Sequence, residues 1–308
     1  MIKNSLIIPI YKNESGIEAL ITELNLLDEE VEDLEVVFVV DGSPDNSARE
    51  LDNLLLKKNL KSQVLILSRN FGSIAAVRAG MSEARGKNFA VMAADLQEPL
   101  DLIKVFFREL EKESTDIIYG ERNSRSDPFF SRISSILFWY LYKKFIVPEM
   151  PYGGVDVFGC NKEFRNQLLA MKESHSSLIA LIFWLGFRRS SEKYDRKKRI
   201  HGKSAWTFRK KIEYLKDSIF SFSQTPIVLV TWAGIAGVFV ALTMGSSVLY
   251  AWVTNSINVP GYTATILIVV FFGGLNLFGL GIIGTYAWRT YENTKKRPAS
   301  VIMSKKEY

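Results

Sequence analysis

The sequence predicts an α/β fold: a mostly parallel, doubly wound sheet, then interfacial helices and two transmembrane helices. Three observations carry this. Up to Gly120, short apolar runs alternate with helical patterns, as βαβ units require. The run Leu34–Val40 is nearly continuous, the pattern of a strand covered on both faces. The last third contains two stretches without a charged residue, Pro226–Val253 and Thr254–Trp288.

Leu6–Ile10 is the first strand. Asn13 or Ser15 caps a helix that places Ile17, Leu20, Ile21, Leu24 and Leu27 on one face. Leu34–Val40 is the second strand, and Ser43-Pro-Asp-Asn opens a helix carrying Leu51, Leu54 and Leu55. Val64–Leu67 is the third strand. Ser73–Arg85 is a helix closed by Gly86 in the C′ position. Phe89–Ala93 is the central strand, Leu102–Leu110 a helix and Asp116–Gly120 the fifth strand. Neither Gly-x-Gly-x-x-Gly nor Gly-Lys-Ser/Thr occurs, so neither a dinucleotide site nor a P-loop is supported.

Each uncharged stretch exceeds the roughly 20 residues that span a bilayer. The polar segment Thr254–Tyr262 turns the chain between them. A buried soluble hairpin is the alternative. Arg209, Lys210, Lys211 and Lys216 precede the first stretch; Arg289, Lys295, Lys296 and Arg297 follow the second; the turn has no Lys or Arg. The positive-inside rule therefore places both termini and the first 225 or so residues in the cytoplasm of a multi-pass plasma (inner) membrane protein. Trp232, Trp252, Tyr262, Tyr286 and Trp288 lie toward the ends, as an aromatic belt does.

The chain of 308 residues has a net charge of +6. That charge is local, since Arg188–Lys216 holds twelve Lys/Arg against three Asp/Glu. One basic block, not a global basic character, argues against a nucleic-acid partner. Cys160 is the only cysteine, and His175 and His201 are the only histidines. An intrachain disulfide is excluded, and Cys- or His-based metal sites and histidine triads are disfavoured. Ser5–Ile10 is too short for a signal segment.

Polar groups recur after the strands: Pro9, Tyr11, Asn13 and Glu14; Asp41, Gly42, Ser43 and Asp45; Ser68, Arg69, Asn70, Phe71 and Gly72; Asp95, Gln97 and Glu98. A parallel sheet brings these ends to one edge, where open α/β sheets hold ligands. Asp95 and the amide oxygen of Gln97 suit one hard cation, Mg2+ or Mn2+, with room left for substrate phosphates. Tyr11 can stack on a base, and Asp41 can accept from a base N–H. Asp95 as a helix cap, Asp41 as a turn residue and Tyr11 as a packing aromatic are the alternatives.

Pro9-x-Tyr11-x-Asn13-Glu14, Val40-Asp-Gly-Ser-x-Asp45, Ser68-Arg-Asn-Phe-Gly72 and Ala94-Asp-Leu-Gln-x-Pro99 together resemble the family 2 glycosyltransferases of GT-A (Rossmann-like) fold. The resemblance covers essentially the whole chain and is strongest to polyprenyl-phosphate glycosyltransferases: dolichol-phosphate-mannose-synthase-like enzymes and bacterial bactoprenol glucosyltransferases. It implies donor contacts from Pro9, Tyr11, Glu14, Asp41, Ser68, Asn70, Asp95 and Arg199, and a divalent metal at Asp95 and Gln97. Two positions depart. The family usually writes Asp-Ala-Asp-Leu-Gln, and here the first Asp is Ala93; the Lys that often follows Asn-Phe-Gly is Ser73. Ala93 implies weaker metal affinity, a site completed by diphosphate and water, or loss of activity.

Gly120-Glu-Arg122 and then Arg125, Ser131, Arg132 and Ser135 lead into an aromatic helix, Phe129–Ile146. The resemblance makes Arg122, Arg132 and Ser135 the holders of a lipid phosphate; guanidinium forks suit phosphate oxygens. Interfacial arginines on lipid headgroups are the alternative. Phe129, Phe130, Phe138, Trp139, Tyr140 and Tyr142 suggest a helix at the membrane interface. Gly153-Gly-Val-Asp156 resembles the family's Gly-x-Asp segment after the acceptor helix, and that resemblance makes Asp156, with Asp95, a catalytic candidate. A phosphomonoester, with its second pKa near 6, needs little help from a base, so Asp156 can instead orient sugar or metal. Tyr194-x-Arg196-x-x-Arg199-x-x-Gly202-x-Ser204 resembles a mobile loop of the family that would bring Arg196 and Arg199 to the phosphates. An anionic-lipid contact is the other role for this block.

The expected organisation is a cytoplasmic domain over 1–205, a juxtamembrane amphipathic helix over 206–225, a transmembrane hairpin over 226–290 and a cytoplasmic tail over 291–308. The expected reaction is inverting transfer from a nucleotide-diphospho-sugar, UDP-glucose or a related one, to polyprenyl phosphate. A non-catalytic donor- or lipid-binding membrane partner and a transferase with another acceptor are the rivals. Glycines in the two spans allow close helix packing, hence a homo-oligomer.

Overall fold

The computed structural model describes residues 2–123, 140, 142–144, 146–151, 155–173, 177–197, 208–254 and 261–308. Its elements, in chain order, are β1 (Asn4–Ile10), a 3-10 turn (Glu14–Gly16), α1 (Ile17–Glu30), β2 (Leu34–Val40), α2 (Ser47–Leu55), β3 (Ser62–Leu67), α3 (Ser73–Glu83), β4 (Asn88–Val91), α4 (Leu100–Glu111), β5 (Ile117–Arg122), β6 (Phe158–Asn161), α5 (Lys162–Ala170), α6 (Leu178–Trp184), β7 (Arg189–Tyr194), α7 (Phe208–Phe222), α8 (Thr225–Val253), α9 (Tyr262–Thr294) and β8 (Ile302–Glu307). Eight strands form one sheet in the order β7-β5-β6-β4-β1-β2-β3-β8. β6 runs antiparallel to β4 and β5, and β8 antiparallel to β3; the other pairings are parallel.

The period-two alternation of a strand sorts its side chains onto two cores. Leu6, Ile8 and Ile10 with Val36, Phe38 and Val40 face α1 and α4, where Leu20, Leu24, Ile103 and Phe106 meet them. Ile7, Val37 and Val39 face the other way, onto Ala76 and Met81 of α3 and, further along, Phe164 of α5 and Leu181 of α6. All seven residues of β2 are buried, as its continuous apolar run predicts. Each fully buried aliphatic side chain contributes about 1.5–3 kcal/mol.

The five expected strands and the helices between them are present, with local differences. β4 ends at Val91, two residues early, so Met92–Pro99 crosses the sheet edge as a loop. Neither Asn13 nor Ser15 caps α1, which starts from Gly16; the Asn13 side chain instead donates to the Ala94 carbonyl at 3.1 Å. Gly86 is not a C′ cap, because α3 ends in an extended Ala84. A Cβ at Gly86 would come within 2.7 Å of Ser5 Oγ, so glycine serves the close approach of this turn to β1. Strands β6, β7 and β8 have no counterpart among the expected elements.

The expected tail divides. Seven residues after α9, the chain returns to the sheet as β8, paired with β3 from Gln63↔Glu307 to Leu67↔Ile302. The Arg85 guanidinium bridges Glu35 of β2 at 2.7 Å and Glu307 of β8 at 3.1 Å, and the Tyr308 hydroxyl donates to Asp52 at 2.6 Å.

Helices α8 and α9 contain stretches long and apolar enough to cross a membrane, Thr225–Ser247 and Phe271–Thr294, with mean hydropathies of 2.2 and 1.2. Only 0% and 6% of these stretches are buried, so neither is a core helix of the fold. Amphipathic α7 joins them to the domain: Tyr214, Leu215, Ile219 and Phe222 pack on the second core. Tyr214 stacks on Tyr142 at 5.9 Å, and Ser177 Oγ bonds both phenols. Asp217 of α7 pairs with Arg289 of α9 at 2.6 Å. Of the expected acceptor helix, Phe129–Ile146, positions 129–139, 141 and 145 lie outside the described residues; Tyr140 and 142–144 are helical.

Candidate active site

Strand order reverses at β1: the chain passes to β2 and β3 on one side, then crosses to β4 on the other. The crevice beyond such a switch point is the ligand site of open α/β sheets. Here the loops after β1 and β4 line it, and the Asn13–Ala94 hydrogen bond ties them together.

The loop after β1 is zipped to the loop after β2. The Lys12 amide donates to Ser43 Oγ at 2.8 Å, the Asn13 amide to Ser47 Oγ at 3.2 Å and the Glu14 amide to Asp45 at 3.1 Å. Both Glu14 carboxylate oxygens accept from Asn46, at 3.1 Å each. Burial raises the Asp45 pKa, but hydrogen bonds from Ser43, Ser47 and the Glu14 amide outweigh it and leave the carboxyl below its ordinary range. Glu14 thus holds two loops in register. Tyr11, 42% exposed, stands at the mouth of the crevice with Pro9 partly buried behind it.

Asp41 is turned inward, at 3% exposure. One carboxylate oxygen accepts the Phe71 amide at 2.7 Å and the other the Gly72 amide at 2.8 Å. Its carboxylate therefore clamps the loop after β3, which differs from the base-reading acceptor expected from the sequence. Gly42, at φ +55°, lets the two loops cross; a Cβ there would sit 2.2 Å from the Arg69 carbonyl carbon. Ser68 and Asn70 are exposed beside this clamp, and Asn70 donates to the Asp41 carbonyl at 3.2 Å.

Asp95 and Gln97 flank Leu96, whose φ of 53° bends the loop, and the Gln97 amide donates to Asp95 at 3.4 Å. The segment after β7 lies across Gln97: the Lys197 amide donates to the Gln97 carbonyl at 2.8 Å, and Arg196 Nη2 donates to Gln97 Oε1 at 2.6 Å. Glu98 is buried behind them at 2% exposure, 3.8 Å from Arg196 Nε. Burial pushes the Glu98 carboxyl above its ordinary range; Asp95 adds to this, and Arg196 and Arg122 oppose it.

Arg122 ends β5 and pairs with Asp156, two residues before the antiparallel β6 begins at Phe158. Register places Arg122 opposite Tyr194, the last residue of β7. Burial pushes the Tyr194 phenol upward as well. The structure thus gathers Asp95, Gln97, Arg122, Asp156 and Arg196 on one edge of the sheet. Arg132, Ser135 and Arg199 lie outside the described residues. Glu98, which the sequence reading left without a role, belongs to the same group; its adjacency to Gln97 was the available signal.

Among the described residues no group of three His, Cys, Asp or Glu side chains could cage a metal ion. Ala93 brings no side-chain oxygen, and the Gln97 side-chain oxygen is turned to Arg196. What remains fits a hard cation held by one carboxylate, Asp95, and by substrate phosphates and water.

A mostly parallel α/β sheet with two antiparallel insertions and an Asp-x-Gln loop at its switch point is the GT-A fold. The chain belongs to glycosyl transferase family 2, whose model matches residues 5–170, and it is a glycosyltransferase. It is 30% identical to the uncharacterized glycosyltransferase YkcC of Bacillus subtilis (strain 168) over 98% of this chain and 93% of that one. It is 27% identical to the bactoprenol glucosyl transferase of Shigella phage SfX over 99% and 100%. Among solved structures, glucosyl-3-phosphoglycerate synthase from Mycobacterium tuberculosis, in complex with Mn2+, uridine-diphosphate and phosphoglyceric acid, matches with a TM-score of 0.50 at 13% identity, over 71% of this chain and 76% of that one.

Proposed function

We propose that the chain transfers a sugar, with inversion, from a nucleotide-diphospho-sugar to polyprenyl phosphate at the cytoplasmic face of a membrane. UDP-glucose or a related UDP-sugar is the proposed donor. One observation carries the reading: both connections to the apolar helices leave from the sheet edge that bears the site. β7 ends there at Tyr194 before the chain passes to α7, and β8 begins there at Ile302, opposite Leu67. An acceptor anchored in lipid would meet Arg122 and Arg196 at this edge. The exposed apolar side chains of α8 and α9, Trp232, Phe239, Leu277 and Phe278 among them, are stabilised by lipid or by a second copy rather than by water. Relatives named bactoprenol glucosyl transferase support the acceptor class.

In this reading the donor lies over the crevice, its base at Tyr11 and Asn70 and its diphosphate at Asp95, with Arg199 reaching it. Asp41 acts by shaping the loop that carries Asn70. A divalent cation, Mg2+ or Mn2+, would be held by Asp95 and would offset charge on the leaving diphosphate. Arg122, Arg132, Ser135 and Arg196 hold the lipid phosphate. Its ionised oxygen attacks the anomeric carbon in line; the new C–O bond forms as the bond to the nucleoside diphosphate breaks. Asp156, paired with Arg122, orients that arginine and the incoming sugar. Residues 1–205 would form the cytoplasmic catalytic domain, 206–225 the juxtamembrane helix and 226–290 the hairpin; of 291–308, the last strand rejoins the domain. Small residues in both spans favour a homo-oligomer.

A second reading, a non-catalytic donor-binding partner, rests on Ala93. Turnover of a short polyprenyl phosphate in detergent, with a panel of UDP- and GDP-sugars and with Mg2+, Mn2+ or chelator, separates the two. A labelled lipid product that chelator abolishes supports the transferase. Nucleotide binding without product from any donor supports the partner. Arg132→Ala should abolish turnover and spare donor binding; unchanged turnover would remove the phosphate-acceptor assignment.

A further inference from the structure

Glu98 has no assigned role, yet it is the most buried acid of the site, at 2% exposure against 3% for Asp41. Its side chain is 1% exposed, and among the described residues neither carboxylate oxygen has a hydrogen-bond partner. Arg196 Nε, 3.8 Å away, is also buried and without a hydrogen-bond partner, and so is Arg122 Nε. Buried polar atoms are ordinarily paired, so several unpaired ones together call for a reason. An ionised carboxylate in such a place is unfavourable unless opposite charge surrounds it. Burial and then Asp95 disfavour the charge here and leave the carboxyl above its ordinary range, while Arg196 and Arg122 oppose them.

The two arginines reach the pocket from different elements, Arg122 from the end of β5 and Arg196 from the segment after β7. Asp156 holds the outer end of the first and Gln97 the outer end of the second. Register sets Arg122 opposite Tyr194, two residues before Arg196, so two like charges lie on one edge and repel each other. A negative charge behind both offsets that repulsion without occupying the face they turn to a ligand.

We propose that Glu98 is a positioning residue: its buried carboxylate holds the Arg122 and Arg196 guanidinium groups in place to grip the phosphate of the acceptor. It does not touch the reacting atoms. The inference rests on the acceptor reading above and adds a residue that neither its motifs nor its relatives' names supply. It also gives Ala94-Asp-Leu-Gln-Glu98 two tasks, donor side at Asp95 and acceptor side at Glu98, on one loop.

The test compares wild type, Glu98→Gln, Glu98→Asp, Arg196→Ala and the double variant Glu98→Gln/Arg196→Ala as full-length chains in detergent. Two readouts are taken: KM for short-chain polyprenyl phosphate and for UDP-glucose, and the melting-temperature shift given by polyprenyl phosphate against uncharged polyprenol. Glu98→Gln should raise the lipid-phosphate KM about tenfold or more while the UDP-glucose KM stays within about threefold. Glu98→Asp should recover part of the loss. The double variant should be little worse than Arg196→Ala, since the two residues act as one unit. An unchanged lipid-phosphate KM in Glu98→Gln, an equal rise in both KM values, or additive effects would overturn the proposal. If wild type shows no turnover, the transfer reaction fails, but a phosphate-dependent melting shift that Glu98→Gln loses still supports the positioning role. No phosphate-dependent shift in wild type would remove both.

Discussion

Arg196 donates to the amide oxygen of Gln97 at 2.6 Å, so the oxygen expected to help hold a cation is held by a guanidinium. A fixed positive charge at that oxygen opposes a second cation there. Replacing Arg196 by Ala should therefore lower the Mg2+ or Mn2+ concentration at half-maximal turnover. If Arg196 grips the acceptor phosphate as proposed, the same change removes a charge-assisted contact worth about 1.5–3 kcal/mol and should raise the lipid-phosphate KM roughly ten- to hundredfold. Metal titrations at saturating lipid separate the two effects.

Asp95 is the remaining carboxylate at the position where the family usually has two. Asp95→Ala should lower kcat by about a hundredfold or more, the scale of losing a main electrostatic stabiliser. Ala93→Asp should move metal dependence the other way, to lower concentrations. Full metal-dependent turnover by Asp95→Ala would show that the cation is held elsewhere.

Asp41 accepts two backbone amides, which makes Asp41→Asn a stability variant before it is a binding variant. The new amide nitrogen would face an N–H donor, Phe71 or Gly72, with no acceptor between them. Thermal unfolding should report a loss of about 1–3 kcal/mol, with a raised donor KM from the loosened loop. An unchanged melting temperature with a changed preference among nucleotide bases would restore the base-reading role.

Glu35 gives the stability of the domain a pH dependence. Burial raises its pKa, but the Arg85 amide, Gln63, the Arg85 side chain and Ser5 outweigh that and leave it below its ordinary value of 4.5. A carboxyl with a lowered folded pKa contributes stability above its unfolded pKa and loses it as pH falls through the folded one. Wild type should therefore lose stability on acidification below about pH 4.5, and Glu35→Gln should flatten that loss in denaturant unfolding followed against pH.

Removing residues from Val301 onward should expose the edge of β3 and leave Arg85 without Glu307. The lost ladder matters more than the exposed ion pairs, which contribute about 0–1 kcal/mol each. A lower melting temperature and concentration-dependent association through the bared edge are expected; light scattering and thermal unfolding measure both.

Much of the fold was legible because it is written locally. The helical faces of α1 and α4 obey a short-range period that burial enforces, and the apolar run of β2 and the uncharged stretches of α8 and α9 show directly in local composition. The short β6 and the polar β7 and β8 escaped notice, because Arg189–Tyr194 and Ile302–Glu307 carry little apolar signal and become strands only by pairing with β5 and β3. The same division holds in the site. Sequence alone picked out Asp95, Gln97 and Arg196 as residues that meet at one edge, since the order of strand ends brings these loops together there. Only the tertiary structure decided that Asp41 clamps a loop, that Arg196 holds Gln97 and that Glu98 lies buried 3.8 Å from Arg196. Those facts depend on contacts between residues 30 to 100 positions apart, and hydrogen bonding between such residues leaves no period in the chain.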